Sequence, residues 1–248
     1  MMNEWVKGTV VGKHTWTEGL YSIQLDAPLG EFRAGQFVKV AMDIAGERVG
    51  RPYSLVNPPS ERPLEILFNE LPGGPLTPYL SALNPGDTVW VSAKAGGIFT
   101  LEAVEAAATL WLLATGTAIG VYLSILRTPD PWERFERVVL VHGVRSATDL
   151  VYGETIAAIA QRWGERFIFV PVVSRESCPQ ALAGRITDLL TSGDLEARVG
   201  VRIDPAASHV MLCGNAAMIK EVKLLLEARG LVRHRRNAPG QYSTEHYH

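Results

Sequence analysis

The sequence predicts a two-domain β plus α/β protein, with an antiparallel β-barrel over residues 1–100 followed by a parallel-sheet α/β domain over residues 101–248. Two observations carry that expectation. A chain of 248 residues is long enough for two hydrophobic cores of ordinary size. Near residue 100 the rhythm also changes, from short apolar runs broken by turn residues to apolar strands that alternate with amphipathic stretches. Hydrophobic residues make up 47%, charged residues 20%, and the formal net charge is −2. These are ordinary globular values, so overall charge points to no nucleic-acid partner.

In the first half, residues 6–11, 21–25, 36–42, 64–71 and 88–92 read as strands, because β-branched and aromatic residues cluster there. Turn chemistry separates them at 27–30, 57–63, 72–75 and 84–87, and the close spacing predicts an antiparallel barrel or sandwich. Short helical pieces are expected at 18–20 and 76–83.

In the second half, strands are expected at 109–114, 137–144, 167–173 and 209–213, with helices at 119–127, 151–163, 186–192 and 216–229. Alternating β and α elements predict a parallel sheet covered on both faces, and such sheets bind ligands at the carboxyl ends of their strands. Gly116, Gly143 and Gly214 each follow an apolar strand at that end. Residues 106–126 contain no charged side chain and are long enough to span a bilayer. Thr115, Gly116 and Thr117 interrupt them, however, and a strand, tight turn and buried helix are expected instead.

Arg51, Pro52, Tyr53 and Ser54 combine a cation, a flat ring and a hydroxyl. In an extended segment Arg51 and Tyr53 share one face while Ser54 takes the other. One ligand could then receive a guanidinium fork on a pyrophosphate, a ring on a planar heterocycle and a hydroxyl near its reactive nitrogen, which suits a flavin. A surface arginine beside a half-buried ring is the commoner meaning of such a segment alone.

The turn from Thr115 to Gly120 offers a glycine and a helix N-terminus to a phosphate, although it is neither the GxGxxG fingerprint nor a P-loop. Gly73, Gly74 and Thr77 form a second possible phosphate turn, with a surface hairpin as its alternative. Ser174, Arg175 and Arg185 would suit an extra phosphate on an adenosine ribose, since Arg forks onto such groups; a solvated face is the alternative. Arg145, just after Val144, could reach a pyrophosphate from the same edge. In the Cys213, Gly214 and Asn215 segment the glycine would admit a flat ring, against the ordinary fate of a buried, inert thiol.

Cys178 and Cys213 match no CxxC or zinc spacing, and Met1 to Glu4 begin no basic-then-apolar leader. A cytoplasmic setting is expected. Two thiols cannot hold an iron–sulfur cluster, which would have to sit on a partner. Arg229, Arg233, His234, Arg235 and Arg236 form a basic cluster, either a solvated helix end or a dock for an acidic protein. Glu245, His246, Tyr247 and His248 close the sequence, where a frayed end is the ordinary expectation.

Taken in order, the RxYS segment, the GTAIG turn, the SRE segment with its GR partner, the CGN segment and the terminal EHYx resemble the plant-type ferredoxin–NADP⁺ reductase family, and more closely its bacterial flavodoxin/ferredoxin–NADP⁺ reductase branch. The likeness runs from Trp5 to Tyr247. It implies FAD on the barrel and NADP(H) on the α/β domain. NADPH would deliver a hydride to the flavin, which would then pass single electrons to ferredoxin or flavodoxin, an acidic partner. By resemblance, Arg51, Pro52, Tyr53 and Ser54 hold FAD, Leu67, Phe68 and Asn69 run along it, Pro75, Leu76 and Thr77 hold its pyrophosphate, and Thr117 lies against it.

The same resemblance maps Val144, Arg145, Ser174, Arg175 and Arg185 to NADP, the last two to its 2′-phosphate, with Cys213, Gly214 and Asn215 beside the nicotinamide. Ser54, Cys213, Glu245 and Tyr247 would be the catalytic set, Tyr247 stacking on the flavin as a gate. A monomer is expected. His248 stands where close relatives commonly end in Trp, which puts adenine-side stacking in doubt, and Val121 stands where they often have Pro. An NADH-dependent reductase feeding an oxygenase, and a flavin subunit that uses no nicotinamide, are the rival readings.

Overall fold

The computed structural model describes residues 4–102, 104–235 and 237–246. It divides into two compact units, one of the residues up to Thr100 together with Leu123–Thr128, the other of Leu101–Tyr122 and the residues from Pro129 onward.

The first unit is built on β1 (Trp5–Thr17), β2 (Leu20–Asp26), β3 (Phe37–Ile44), β4 (Glu47–Ser54), β5 (Leu64–Asn69) and β6 (Thr88–Ser92). These pair antiparallel in the order β4-β3-β6-β1-β2-β5. A bridge between Leu55 and Ile66, with the Val56 N–H donating to the Glu65 carbonyl at 2.9 Å, joins the two ends. That contact draws the two edge strands together at one end and curls the sheet into a barrel, while the rest of β4 keeps its outer side open. Period-two patterning fills the interior: in β3, Val38 and Val40 are fully buried while Lys39 between them is exposed.

Residues 18–20 form a turn and a strand start rather than helix, with Gly19 at φ +80° and Leu20 opening β2. β4 was not among the expected strands. It is mostly polar because it pairs along its length only with β3, and that position also accommodates Pro52, which has no N–H to give a second neighbour. The short helix α1 (Thr77–Ala82) buries Leu80.

The second unit carries β7 (Ala107–Thr115), β8 (Phe135–Val144), β9 (Phe167–Val173), β10 (Leu182–Ala183), β11 (Ser208–Gly214) and β12 (Tyr242–His246), all parallel, in the order β10-β9-β8-β7-β11-β12. β11 is buried along its whole length, as expected of a parallel strand covered on both faces. A 3₁₀ turn, Gly116–Ala118, leads into α2 (Ile119–Leu126); α3 (Asp130–Arg134), α4 (Gly153–Trp163), α5 (Ile186–Ser192), α6 (Asp194–Val199) and α7 (Ala216–Ala228) follow. Residues 106–126 thus become strand, turn and helix, and no helix of the described residues is long and apolar enough to cross a membrane. The segments α3, α6, β10 and β12 were not anticipated.

From β7 the chain winds outward through β8, β9 and β10, then returns on the other side of β7 as β11 and β12. The carboxyl ends of β7 and β11 therefore flank a topological switch point, where open α/β sheets place their ligands.

Candidate functional site

In the first unit, β4 ends in the segment singled out from the sequence. Arg51 and Pro52 are exposed, Tyr53 is half-buried and Ser54 is buried. Arg51 donates one N–H to the Gly50 carbonyl at 2.7 Å. Tyr53 meets Phe68 of β5 edge-to-face, with ring centroids 6.1 Å apart and planes at 69°. Burial pushes the Tyr53 phenol up to about 12, opposed by the nearby Arg51 charge, so the ring stays neutral and keeps its O–H. Leu67 and Phe68 are buried on β5, and Asn69 is exposed at its end.

Beyond β5 the chain folds into a tight turn. The Leu71 N–H donates to Thr77 Oγ1 at 2.9 Å, the Gly74 N–H donates to the Leu71 carbonyl at 2.8 Å, and Gly73 sits at φ +72°. Pro75 is exposed and Leu76 buried. Because Thr77 Oγ1 accepts from the backbone, its own O–H remains a donor.

In the second unit, the switch point gathers residues far apart in sequence. Thr115 Oγ1, at the end of β7, accepts the Asn215 N–H at 2.8 Å, and the Asn215 side chain accepts from the Ala217 and Met218 N–H groups at 2.9 and 3.2 Å, capping α7. Gly214 adopts φ +127°, and a Cβ there would lie 2.1 Å from Thr115 Oγ1. The space that a side chain at position 214 would need is therefore filled by Thr115. Cys213 is fully buried and lies in register with half-buried Glu245 of β12, so two expected site residues are brought side by side. Thr117 is half-buried in the 3₁₀ turn. Tyr247, His248 and Arg236 lie outside the described residues.

Farther along the same sheet edge, Ser174 donates to the Val144 carbonyl from both its N–H and its hydroxyl at 3.1 Å, and the Arg175 N–H donates to the Arg145 carbonyl at 3.0 Å. The Gly184 N–H donates to the Val173 carbonyl at 2.9 Å, extending β10 to the same edge and placing Arg185 just beyond it. Arg145, Arg175 and Arg185 are all exposed there.

Of the basic cluster, Arg229 is held within the protein while Arg233 and Arg235 are exposed. Arg229 grips Glu196, Nη1 to Oε1 at 2.8 Å and Nη2 to Oε2 at 3.2 Å, and also donates to the Leu190 carbonyl. It tightens α7 against α6 instead of offering a free charge.

Two contacts not foreseen in the sequence matter here, one by Thr115 of the candidate turn and one by His142. Thr115 ties β7 to β11 as described. His142, fully buried on β8, sets Nε2 3.0 Å from the Gly116 carbonyl while its Nδ1 has no hydrogen-bond partner among the described residues. Burial drives this imidazole down to about 4, so it is neutral.

Two family models match the chain in succession. The oxidoreductase FAD-binding domain matches residues 10–99 and the oxidoreductase NAD-binding domain matches residues 112–224. The flavodoxin/ferredoxin–NADP reductase of Escherichia coli K12 is 44% identical over 247 residues, covering 99% of this chain and 100% of its own. The chain belongs to the flavodoxin/ferredoxin–NADP reductase family. The ferredoxin–NADP reductase of Pseudomonas aeruginosa PAO1 is 34% identical, with 95% of each chain covered. Among solved structures, a ferredoxin NADP⁺ reductase from Neisseria gonorrhoeae with bound FAD and NADP superposes at TM-score 0.93 with 28% identity, covering 98% of this chain and 99% of the other. The antiparallel barrel and parallel sheet described above are thus the two-domain fold of these reductases.

Proposed function

We propose that this reductase transfers electrons between NADPH and a ferredoxin or flavodoxin through bound FAD, with residues 1–100 carrying the flavin and residues 101–248 the nicotinamide nucleotide. The observation that carries this reading is the β4 end, where the neutral Tyr53 ring and the exposed Arg51 fork stand together on a chain with full-length likeness to such reductases. The donor set fits the cofactor: a ring for the isoalloxazine, a guanidinium and the Thr77 hydroxyl for a pyrophosphate. When bound, FAD supplies the exchange between two-electron hydride chemistry and one-electron transfer.

The protein's own groups bind, orient and exclude water. Pro52 fixes the strand between Arg51 and Tyr53, and Ser54 supplies a hydroxyl on the flavin's reactive side. Leu67, Phe68 and Asn69 form one wall, and Pro75, Leu76 and Thr77 close the pyrophosphate end. Thr117 and the terminal Tyr247 and His248 complete the flavin contacts, Tyr247 acting as the gate to its face.

On the nucleotide side, Val144 and Arg145 take the pyrophosphate, Ser174, Arg175 and Arg185 the 2′-phosphate, and Cys213, Gly214, Asn215 and Glu245 frame the nicotinamide. Ser54, Cys213, Glu245 and Tyr247 are the proposed catalytic group. The bond between the Asn215 N–H and Thr115 supports a role for Asn215 in setting the shape of the switch point more than in direct contact. The protein is proposed to act as a cytoplasmic monomer with an acidic partner.

The deciding experiment is the anaerobic visible spectrum of the purified protein during addition of NADPH or NADH. A flavin band bleached rapidly by NADPH and slowly by NADH is expected. Bleaching by neither nucleotide would overturn the reading.

A further inference from the structure

His142 stands in the middle of a covered parallel sheet, in register with Ala114 of β7 and Pro171 of β9. A neutral imidazole carries one ring proton. Because the group facing Nε2 is the Gly116 carbonyl, an acceptor, that proton is on Nε2, and Nδ1 is left as a bare acceptor sealed from water. A buried polar atom without a partner costs free energy that an apolar side chain of similar size would not incur. The ring's hydrogen bond is to the turn between β7 and α2.

That turn is where the bond has leverage. Gly116 lies at φ +56°, and its carbonyl also accepts the Ile119 N–H, so both lone pairs of this oxygen are engaged, one by the helix and one by His142. In a trans peptide the carbonyl and the following N–H point in opposite directions. Drawing the Gly116 carbonyl toward the buried ring therefore turns the Thr117 N–H away from it. The turn follows Thr115, whose side chain holds the end of β11, so the oriented N–H sits at the switch point.

We propose that His142 is a positioning residue for nicotinamide-nucleotide binding, acting through the Gly116–Thr117 peptide whose N–H it aims at the bound nucleotide. This rests on the proposed function, in which the carboxyl edge of the second sheet takes NADP(H). His142 touches neither substrate nor flavin; it removes the rotational freedom of one peptide.

The test uses the FAD-loaded protein and two variants. His142→Leu removes the donor and the orphaned Nδ1 together, and His142→Gln restores an N–H to the Gly116 carbonyl. With ferricyanide as acceptor, His142→Leu is expected to raise KM for NADPH about fivefold, the worth of one neutral hydrogen bond, with kcat moving less than about twofold and thermal stability equal or higher. His142→Gln is expected to return KM to within about twofold of the parent. A purely structural histidine would give the converse, lower stability with unchanged KM, and that result would overturn the proposal. So would loss of FAD with unchanged KM, which would mean that the turn serves the flavin.

If the leucine variant does not fold, the Thr117 amide resonance of the parent is followed during NADP⁺ titration. A shift at saturation is expected, and an unmoved amide sinks the proposal. A parent protein that neither NADPH nor NADH bleaches would defeat the functional reading itself, a result separate from any of these.

Discussion

Adding a single methyl group at Gly214 is expected to weaken the second unit by about 3 kcal/mol. The Cβ of Gly214→Ala would lie 2.1 Å from Thr115 Oγ1, 2.9 Å from the Thr115 carbonyl oxygen and 3.0 Å from its nitrogen. Rotation of the Thr115 side chain would relieve only the first contact, and would break the 2.8 Å bond from the Asn215 N–H. The two backbone contacts cannot rotate away, because β7 and β11 are fixed in parallel register through Ala114 and Cys213. Holding a non-glycine residue at φ +127° costs about 2 kcal/mol, and the lost hydrogen bond about 1 kcal/mol more. On about 2–4 °C per kcal/mol for a domain of this size, Tm should fall by about 6–12 °C.

Thermal unfolding of the FAD-loaded protein measures the total, and hydrogen exchange localises it. Amides of β7 and β11 should lose protection while those of β1 and β3 keep theirs, because the strained contact lies wholly within the second unit. Thr115→Ala alone should cost about 1 kcal/mol. The double variant should cost less than the sum, since the hydroxyl in the way is gone while the φ penalty remains. A Gly214→Ala protein within about 1 °C of the parent would refute the reasoning, as would strict additivity with Thr115→Ala.

Arg229→Ala should destabilise by about 2 kcal/mol in urea titration, because it leaves the Glu196 carboxylate, 8% exposed, with only the Ile203 N–H in place of its guanidinium. Acid should weaken the fold before the carboxylates titrate. Burial holds His142 near 4 and His209 near 3, against 6.5 in the unfolded chain, so their contribution is complete above pH 6.5 and is lost as pH falls toward those values. About 2 kcal/mol per histidine should be gone by pH 5, and His142→Leu should flatten the slope of urea midpoint against pH between 6.5 and 5. Arg175→Ala and Arg185→Ala should each weaken NADP⁺ binding about tenfold by titration while leaving NADH binding within about twofold; equal losses for both nucleotides would return these side chains to the solvated surface.

What could be read before the structure divides along a physical line. Strands buried by their own composition, such as Phe167–Val173, and the helix Ile186–Ser192 were legible to the residue, because apolar periodicity is a property of the segment itself. The edge strands were not. Glu47–Ser54 and Tyr242–His246 carry too much polarity to announce themselves, and they become strands because a neighbour supplies one row of hydrogen bonds while their other side stays open along most of its length.

The site shows the same line more sharply. Arg51, Tyr53, Arg175 and Arg185 were legible because a charge or ring at a strand end is informative wherever its neighbours turn out to be. The contacts of Thr115 and His142 were silent because their meaning lies in a pairing, across 100 residues in one case and 26 in the other, with a backbone group that chemistry alone does not mark. Gly214 sits between the two kinds. Its position after an apolar strand suggests close approach of a flat ring, and the structure adds a second reason for glycine: the space a Cβ would take is filled by Thr115, so the two strand ends can meet. If the Thr115, His142 and Gly214 contacts set the shape of the switch point, substitutions there should alter nucleotide affinity and stability in different proportions, whereas substitutions at Arg175 and Arg185 should alter affinity alone.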